Sequence, residues 1–313
     1  MPRLTLLVLV TTFTAAASDS PRLFDTVPSR SASTNPPANI RINVDMALVP
    51  VMVLDPLGHN VRGLARENFR VIDGPAARPI VSFGQQDAPI SVGLVFDCSR
   101  SMTSKFPTAK KAPAELYRQL NPEDESFLVT VAQRAVLRQG LTSNYEDIMN
   151  SLLFTNPNGT TSLLDGVYDG LQELKKSQKP RKALIIVSDG GENDSRYSLN
   201  ELASLAQESD TQIFAIGLCQ NPQTREEAEG PLLLERLARA SGGLEYMVND
   251  LNDLTSAMAR IGIALHSEYV LGYYPPDDAA AGKYRKIKVQ LLVPDGLPKL
   301  RVFARSGYYV PGR

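Results

Sequence analysis

The chain has 313 residues, 43% of them hydrophobic, with 33 Lys plus Arg against 34 Asp plus Glu and a formal charge of -1. That is the make-up of a soluble globular protein of about two domains, and it excludes a collagen-like, coiled-coil or wholly disordered chain. So balanced a charge creates no global field for nucleic acid or anionic lipid, and with only 2 His and 2 Cys any metal is expected to be held by oxygen ligands.

At the N-terminus, Arg3 precedes an apolar run from Leu4 to Val10 that fades into Ala15-Ala16-Ala17. This is the pattern of a secretory signal, expected to span residues 1–17, and the run is well short of the about 20 apolar residues of a membrane-spanning helix. Residues 18–39 are mostly Ser, Pro, Thr, Asn and Asp and read as a disordered linker. The protein is therefore expected to be exported, periplasmic or extracellular, with no integral membrane segment after signal cleavage.

From Ile40 the texture becomes period two: Ile40, Ile42 and Val44 alternate with polar residues, and Val49, Val51 and Val53 continue the series. Turns at Asp55-Pro56-Leu57-Gly58 and Asp73-Gly74 separate further short strands around Phe69 and Ile80–Phe83. Residues 40–88 thus read as the N-terminal part of an antiparallel β-unit.

Continuous apolar runs at Val92–Phe96, Ala183–Val187 and Ile213–Ile216 are those of strands buried on both faces of a parallel sheet. Helical stripes lie between and after them, at Leu163, Val167, Leu171 and Leu174 and at Leu254, Met258, Ile261 and Leu265, and Ser198-Leu199-Asn200-Glu201 has capping-box spacing. Residues 89–265 therefore predict a doubly wound, Rossmann-like α/β domain. Beyond His266 the strand pattern returns at Tyr269–Tyr273, Ile287–Leu291 and Leu300–Ala304. Neither set of flanking strands is large enough to fold alone, so 40–88 and 266–313 are expected to build one β-unit from both ends of the chain. Cys98 and Cys219 follow the ends of two parallel strands; a strand between them would hold their Cα atoms beyond the roughly 7 Å reach of a disulfide, and both are expected to be buried free thiols.

Chemistry concentrates at strand ends. The first parallel strand runs into Asp97-Cys98-Ser99-Arg100-Ser101-Met102, the second into Ser188-Asp189-Gly190-Gly191, and Asn158-Gly159-Thr160-Thr161-Ser162 forms a turn between them. In open α/β sheets ligands bind in the crevice beyond such carboxyl ends. Here the sequence resembles the von Willebrand factor A domain family, whose metal-ion-dependent adhesion site combines D-x-S-x-S, a Thr of a Gly-rich loop and an Asp before Gly. The match assigns Asp97, Ser99 and Ser101 to the first loop, Thr161 to the second and Asp189 to the third. The flanks, with Gly58, Leu64, Phe69, Asp73-Gly74, Tyr269–Tyr274, Arg285-Lys286-Ile287 and Gly307-Tyr308, look like bacterial VWFA-related proteins of acidobacterial type.

The resemblance implies hydroxyls bound directly to Mg²⁺, with Mn²⁺ or Ca²⁺ as alternatives, the two carboxylates held back through water, and one position open for an acidic residue of a protein ligand. Such a hard cation favours oxygen ligands in near-octahedral array. Two departures are expected to weaken the metal: Arg100 stands where the family has a small residue, and Thr160 replaces a Gly. If Arg100 points outward it instead attracts an anionic partner. Glu192 and Asp194 are expected to form a solvated loop face, and the Tyr residues of the C-terminal strands to pack within the β-unit.

The leading expectation is a secreted, non-enzymatic, metal-dependent protein-binding module of adhesion or scaffold type. A structural scaffold with a vestigial metal site is one alternative. An Asp-nucleophile phosphotransferase is another, but such enzymes resemble D-x-D, and Ser99 occupies the position of the second Asp.

Overall fold

The computed structural model describes residues 46–310 apart from 86, 221–224, 277–281, 294, 295 and 297. The expected signal segment 1–17, the linker 18–39 and the alternating residues Ile40, Ile42 and Val44 lie outside the described residues.

In chain order the elements are β1 (Ala47–Leu54), β2 (Phe69–Asp73), β3 (Ala76–Arg78), β4 (Ser82–Gln85), β5 (Ile90–Asp97), α1 (Phe106–Ala109), α2 (Pro113–Tyr117), β6 (Glu125–Val131), β7 (Ala135–Thr142), α3 (Tyr145–Leu153), α4 (Leu163–Leu174), β8 (Arg181–Ser188), α5 (Leu199–Glu208), β9 (Thr211–Leu218), α6 (Arg225–Ser241), β10 (Glu245–Val248), α7 (Asp253–Leu265), β11 (Tyr269–Tyr273), β12 (Tyr284–Leu291), β13 (Arg301–Ala304) and β14 (Gly307–Tyr309). The central sheet has the order β10-β9-β8-β5-β6-β7, parallel except for β7.

Burial on both faces explains the continuous apolar strands. Leu94, Phe96, Ile185, Phe214 and Ile216 pack with Phe106, Leu116, Ile148, Met258 and Ile261 on one side. Val95, Leu184, Ile186, Ile213 and Ala215 pack with Val167, Leu171, Leu202 and Leu234 on the other. Helix α4 lies close on the sheet because Gly166 and Gly170 face Val131, Val95 and Leu184, where a Cβ would stand 2.2 to 2.7 Å from its nearest neighbour. The two capping-box hydrogen bonds expected at Ser198 and Glu201 open α5.

The flanking strands form two antiparallel sheets, β13-β1-β11-β4 and β14-β12-β2-β3. Both mix the two ends of the chain: Ala47 to Val51 pair with Tyr273 to Tyr269, and Val71 faces Val289. Their shared core contains Val49, Val51, Phe69, Val71, Tyr269, Leu271, Tyr273, Ile287 and Tyr308. Strand β1 alternates between two cores, since Val49, Val51 and Val53 belong to this one while Met52 and Leu54 join the α7 side of the central sheet. The predicted fold class, a doubly wound α/β domain with an antiparallel β-unit from both ends of the chain, is therefore the one observed.

Asp73 is fully buried at the heart of the β-unit. It accepts hydrogen bonds from the hydroxyls of Tyr273 at 3.0 Å and Tyr308 at 3.2 Å and pairs with the Arg285 guanidinium at 2.7 Å. Tyr269 donates to the Val61 carbonyl and accepts from the Leu64 amide, both at 3.0 Å. These Tyr residues serve packing, as expected, whereas Tyr274 is exposed.

Cys98 and Cys219 are free, with β8 between the strands they follow. Cys98 is buried, and burial drives its thiol well above the ordinary range. Cys219 is only half-buried, which corrects the expectation of two buried thiols: it sits one residue past the end of β9, with its Sγ 3.7 Å from the Glu227 carbonyl in the first turn of α6.

Candidate metal centre

Strand order places the site. From β5 the chain passes first to β6 and β7 on one side and then returns to β8 on the other, so the carboxyl end of β5 is the topological switch point where such sheets open a crevice. Asp97 is the last residue of β5, and Ser188 ends β8 directly before Asp189.

The first loop is folded around Asp97. Its Oδ1 accepts the Ser99 amide at 2.8 Å and its Oδ2 accepts the Ser188 hydroxyl at 2.6 Å. The Ser188 hydroxyl in turn accepts the Gly190 amide at 2.9 Å, tying the first and third loops together. The Ser99 and Ser101 hydroxyls stand 3.0 Å apart, Ser99 buried and Ser101 exposed at the rim.

The second loop is laced to both others. The Arg100 amide donates to the Gly159 carbonyl at 3.1 Å and the Asn158 amide to the Cys98 carbonyl at 2.9 Å. The Thr161 carbonyl accepts the amides of Asn193 at 2.9 Å and Asp194 at 3.3 Å, and the Thr161 side chain is buried. Thr160, in place of Gly, donates from its hydroxyl to Asp194 at 2.7 Å and so braces the loop. The structure thus brings the loops of Asp97, Ser99, Ser101, Thr161 and Asp189 together at one sheet edge.

The third loop requires glycine. Gly190 has φ of +83°, and a Cβ there would stand 2.2 Å from the Gly230 Cα on α6. Beside it Asp189, 2% exposed, receives an ammonium that sequence inspection missed. Lys105 Nζ lies 2.8 Å from Asp189 Oδ2 and 2.7 Å from Glu227 Oε1, with all three side chains at or below 5% exposure. No local spacing announces this triad, because its members come from three separate segments of the chain.

Burial and the charge of Asp189 push the Asp97 carboxyl up to about 6, against the opposing hydrogen bonds of Ser188 and Ser99. Two buried carboxylates, Asp189 and Glu227, face the Lys105 ammonium, and the Asp97 carboxyl is buried close enough to Asp189 to feel its charge. This donor set, carboxylates with neighbouring hydroxyls and no His or Cys ligand, fits a hard divalent cation. Glu192 corrects an expectation: it is half-buried, and its Oε2 accepts the Leu164 amide at 2.9 Å at the start of α4, so it caps a helix and does not form a solvated face. Asp194 is exposed, as expected.

The model of the von Willebrand factor type A domain matches residues 91–260. The chain belongs to this family. No curated protein matches it significantly. Among solved structures it is similar to BatB from Bacteroides thetaiotaomicron, at 18% identity over 57% of this chain and 100% of that one, with a TM-score of 0.46. It is also similar to the vWF domain of the type V pili tip protein Mfa5 from Porphyromonas gingivalis, at 12% identity over 57% and 95%, TM-score 0.47. A third similarity is to proximal thread matrix protein 1 of the mussel byssus, described with a zinc-occupied MIDAS motif, at 20% identity over 62% of this chain and 49% of that one, TM-score 0.50. At such identities the likeness is one of fold. No helix among the described residues is long and apolar enough to cross a membrane.

Proposed function

We propose that this VWA domain is an exported, non-enzymatic protein-binding module whose affinity depends on a divalent cation, with Mg²⁺ the first candidate and Mn²⁺ or Ca²⁺ alternatives. The observation that carries the reading is the convergence of the three loops on Asp97, with paired Ser99 and Ser101 hydroxyls beside it. Ser99, Ser101, Thr161, Asp97 and Asp189 would hold the cation. When bound, it supplies an electrophilic seat for a carboxylate of the partner. The zinc-occupied site described for the mussel protein is consistent with a cation in this family's crevice.

An acidic partner is favoured by the rim. Arg100 is exposed on the first loop, so the outward orientation considered from the sequence is the one adopted. Arg134 is exposed in the turn whose neighbour Ala132 accepts the Ser162 amide at 2.9 Å, and exposed Arg138 reaches Thr130 on β6 at 2.9 Å. Three guanidinium groups beside the crevice raise the encounter rate of an anionic surface and repel a basic one. VWA domains are generally protein-interaction modules, and Ser99 in place of a second Asp supports binding over phosphotransfer. Export rests on residues 1–17.

The test is capture of partners from envelope and secreted fractions of the source cells on immobilised protein, in Mg²⁺ and in excess chelator. Capture should require Mg²⁺ and be lost in Asp97→Ala and Ser99→Ala proteins that keep a native circular dichroism spectrum. Capture that persists in chelator and in both variants would refute the reading and favour a scaffold with a vestigial site.

A further inference from the structure

A buried lysine is an unusual neighbour for a cation site. Lys105 lies directly before α1, is 3% exposed, and places its ammonium between Asp189 of the third loop and Glu227 in the first turn of α6. Taking an ammonium out of water is costly unless it is paired, and two carboxylates at hydrogen-bond distance meet that demand. The same pairing occupies Oδ2 of Asp189, while among the described residues Oδ1 accepts only a long 3.4 Å contact from the Gly191 amide. The contact of Gly190 with Gly230 clamps this loop to α6 beside the triad. Lys105 thus has a second carboxylate, Glu227, already at 2.7 Å should it leave Asp189.

We propose that Lys105 is a resident counter-cation that competes with the divalent metal for Asp189, with Glu227 as the acceptor that holds the ammonium when the metal arrives. This rests on the metal-centre reading above and assigns positioning roles to two residues outside the five-residue constellation. Its logic is charge balance. A metal drawn to Asp189 repels an ammonium already there, so each weakens the other's hold. Glu227 reduces that penalty by giving Lys105 a second partner. Lys105 then partly offsets the charge of Asp189 and keeps the loop ordered in the absence of metal, with modest metal affinity as the consequence.

The decisive comparison is Mn²⁺ binding to the full chain, followed by the electron paramagnetic resonance signal of free Mn²⁺, in wild type, Glu227→Gln and the double variant Lys105→Met with Glu227→Gln. The double variant removes one positive and one negative charge, so the net charge of the triad is unchanged while Asp189 is released. It should bind Mn²⁺ about 10-fold more tightly than wild type or better, the scale on which groups around a metal site tune affinity. Glu227→Gln alone leaves Lys105 wholly on Asp189 and should bind several-fold more weakly. Equal or weaker binding by the double variant would overturn the competition, as would unchanged or tighter binding by Glu227→Gln. The single variant also decides the matter should the double variant not fold. Absence of Mn²⁺ binding in all three proteins would instead overturn the metal-centre reading itself, a result distinct from binding that is present but indifferent to Lys105.

Discussion

Replacing Asp73 with Ala probes the joint between the two ends of the chain. The carboxylate is fully buried and links β2 to β11, β12 and β14 through Tyr273, Arg285 and Tyr308. Removing a buried carboxylate that holds an ion pair and two hydroxyls costs about 3–5 kcal/mol, because the Tyr273 and Tyr308 hydroxyls lose their buried acceptor and the Arg285 guanidinium loses this partner. For a domain of this size each kcal/mol lowers Tm by about 2–4 °C, so the melting temperature should fall by on the order of 10 °C. Thermal unfolding followed by circular dichroism reads the shift, with urea unfolding as the check on free energy. A cycle with Tyr273→Phe separates network from bulk. Alone, that change should cost about 1 kcal/mol, and in the Asp73→Ala background close to nothing, because its acceptor is gone. A loss below about 1 kcal/mol for Asp73→Ala, or full additivity of the pair, would refute the argument that this carboxylate organises the β-unit.

Two other consequences are open to direct measurement. Gly190→Ala places a methyl against the Gly230 backbone at a φ of +83°, so it should destabilise by about 2–4 kcal/mol in urea unfolding, more than ordinary overpacking; a loss under about 1 kcal/mol would show that the loop shifts freely. Glu245, half-buried with an unpartnered Oε1, has its carboxyl pushed up to about 7 by burial and, secondarily, by Glu235. Its folded pKa lies above the unfolded value, so its favourable contribution is complete below about pH 4.5 and is lost as pH rises through about 7. Glu245→Gln should therefore match wild type at pH 4.5 and exceed it by about 1–2 kcal/mol at pH 8, a value reduced for solvent screening; equal stability at both pH values would contradict the burial argument.

What could be read from the sequence follows from how local each signal is. Strands β5, β8 and β9 were legible because burial on both faces leaves an uninterrupted apolar run. Strand β7 was not, because it is an antiparallel edge strand with Val136 and Leu137 turned outward, which erases alternation. Helix α6 was hidden by Gly230 and Pro231 within its span, residues that ordinarily mark a break; Gly230 is there for the close approach to Gly190. The constellation of Asp97, Ser99, Ser101, Thr161 and Asp189 stood out because oxygen ligation prescribes residue types at short spacing within each loop. Lys105 and Glu227 belong to the same crevice but reach it through tertiary packing, Lys105 and Asp189 being 84 positions apart, and charged residues at such separations carry no pattern.

The central claim is that the crevice beyond β5 and β8 holds a divalent cation, and metal binding can be measured without knowing the partner. Mn²⁺ titration of wild type, Asp97→Ala and Thr161→Ala proteins, each verified as folded by circular dichroism, tests it. The account predicts one saturable site in wild type, weakened by about 10- to 100-fold or lost in each variant, with Mg²⁺ displacing Mn²⁺. Binding of equal affinity in all three folded proteins, or no saturable site in wild type, would contradict it.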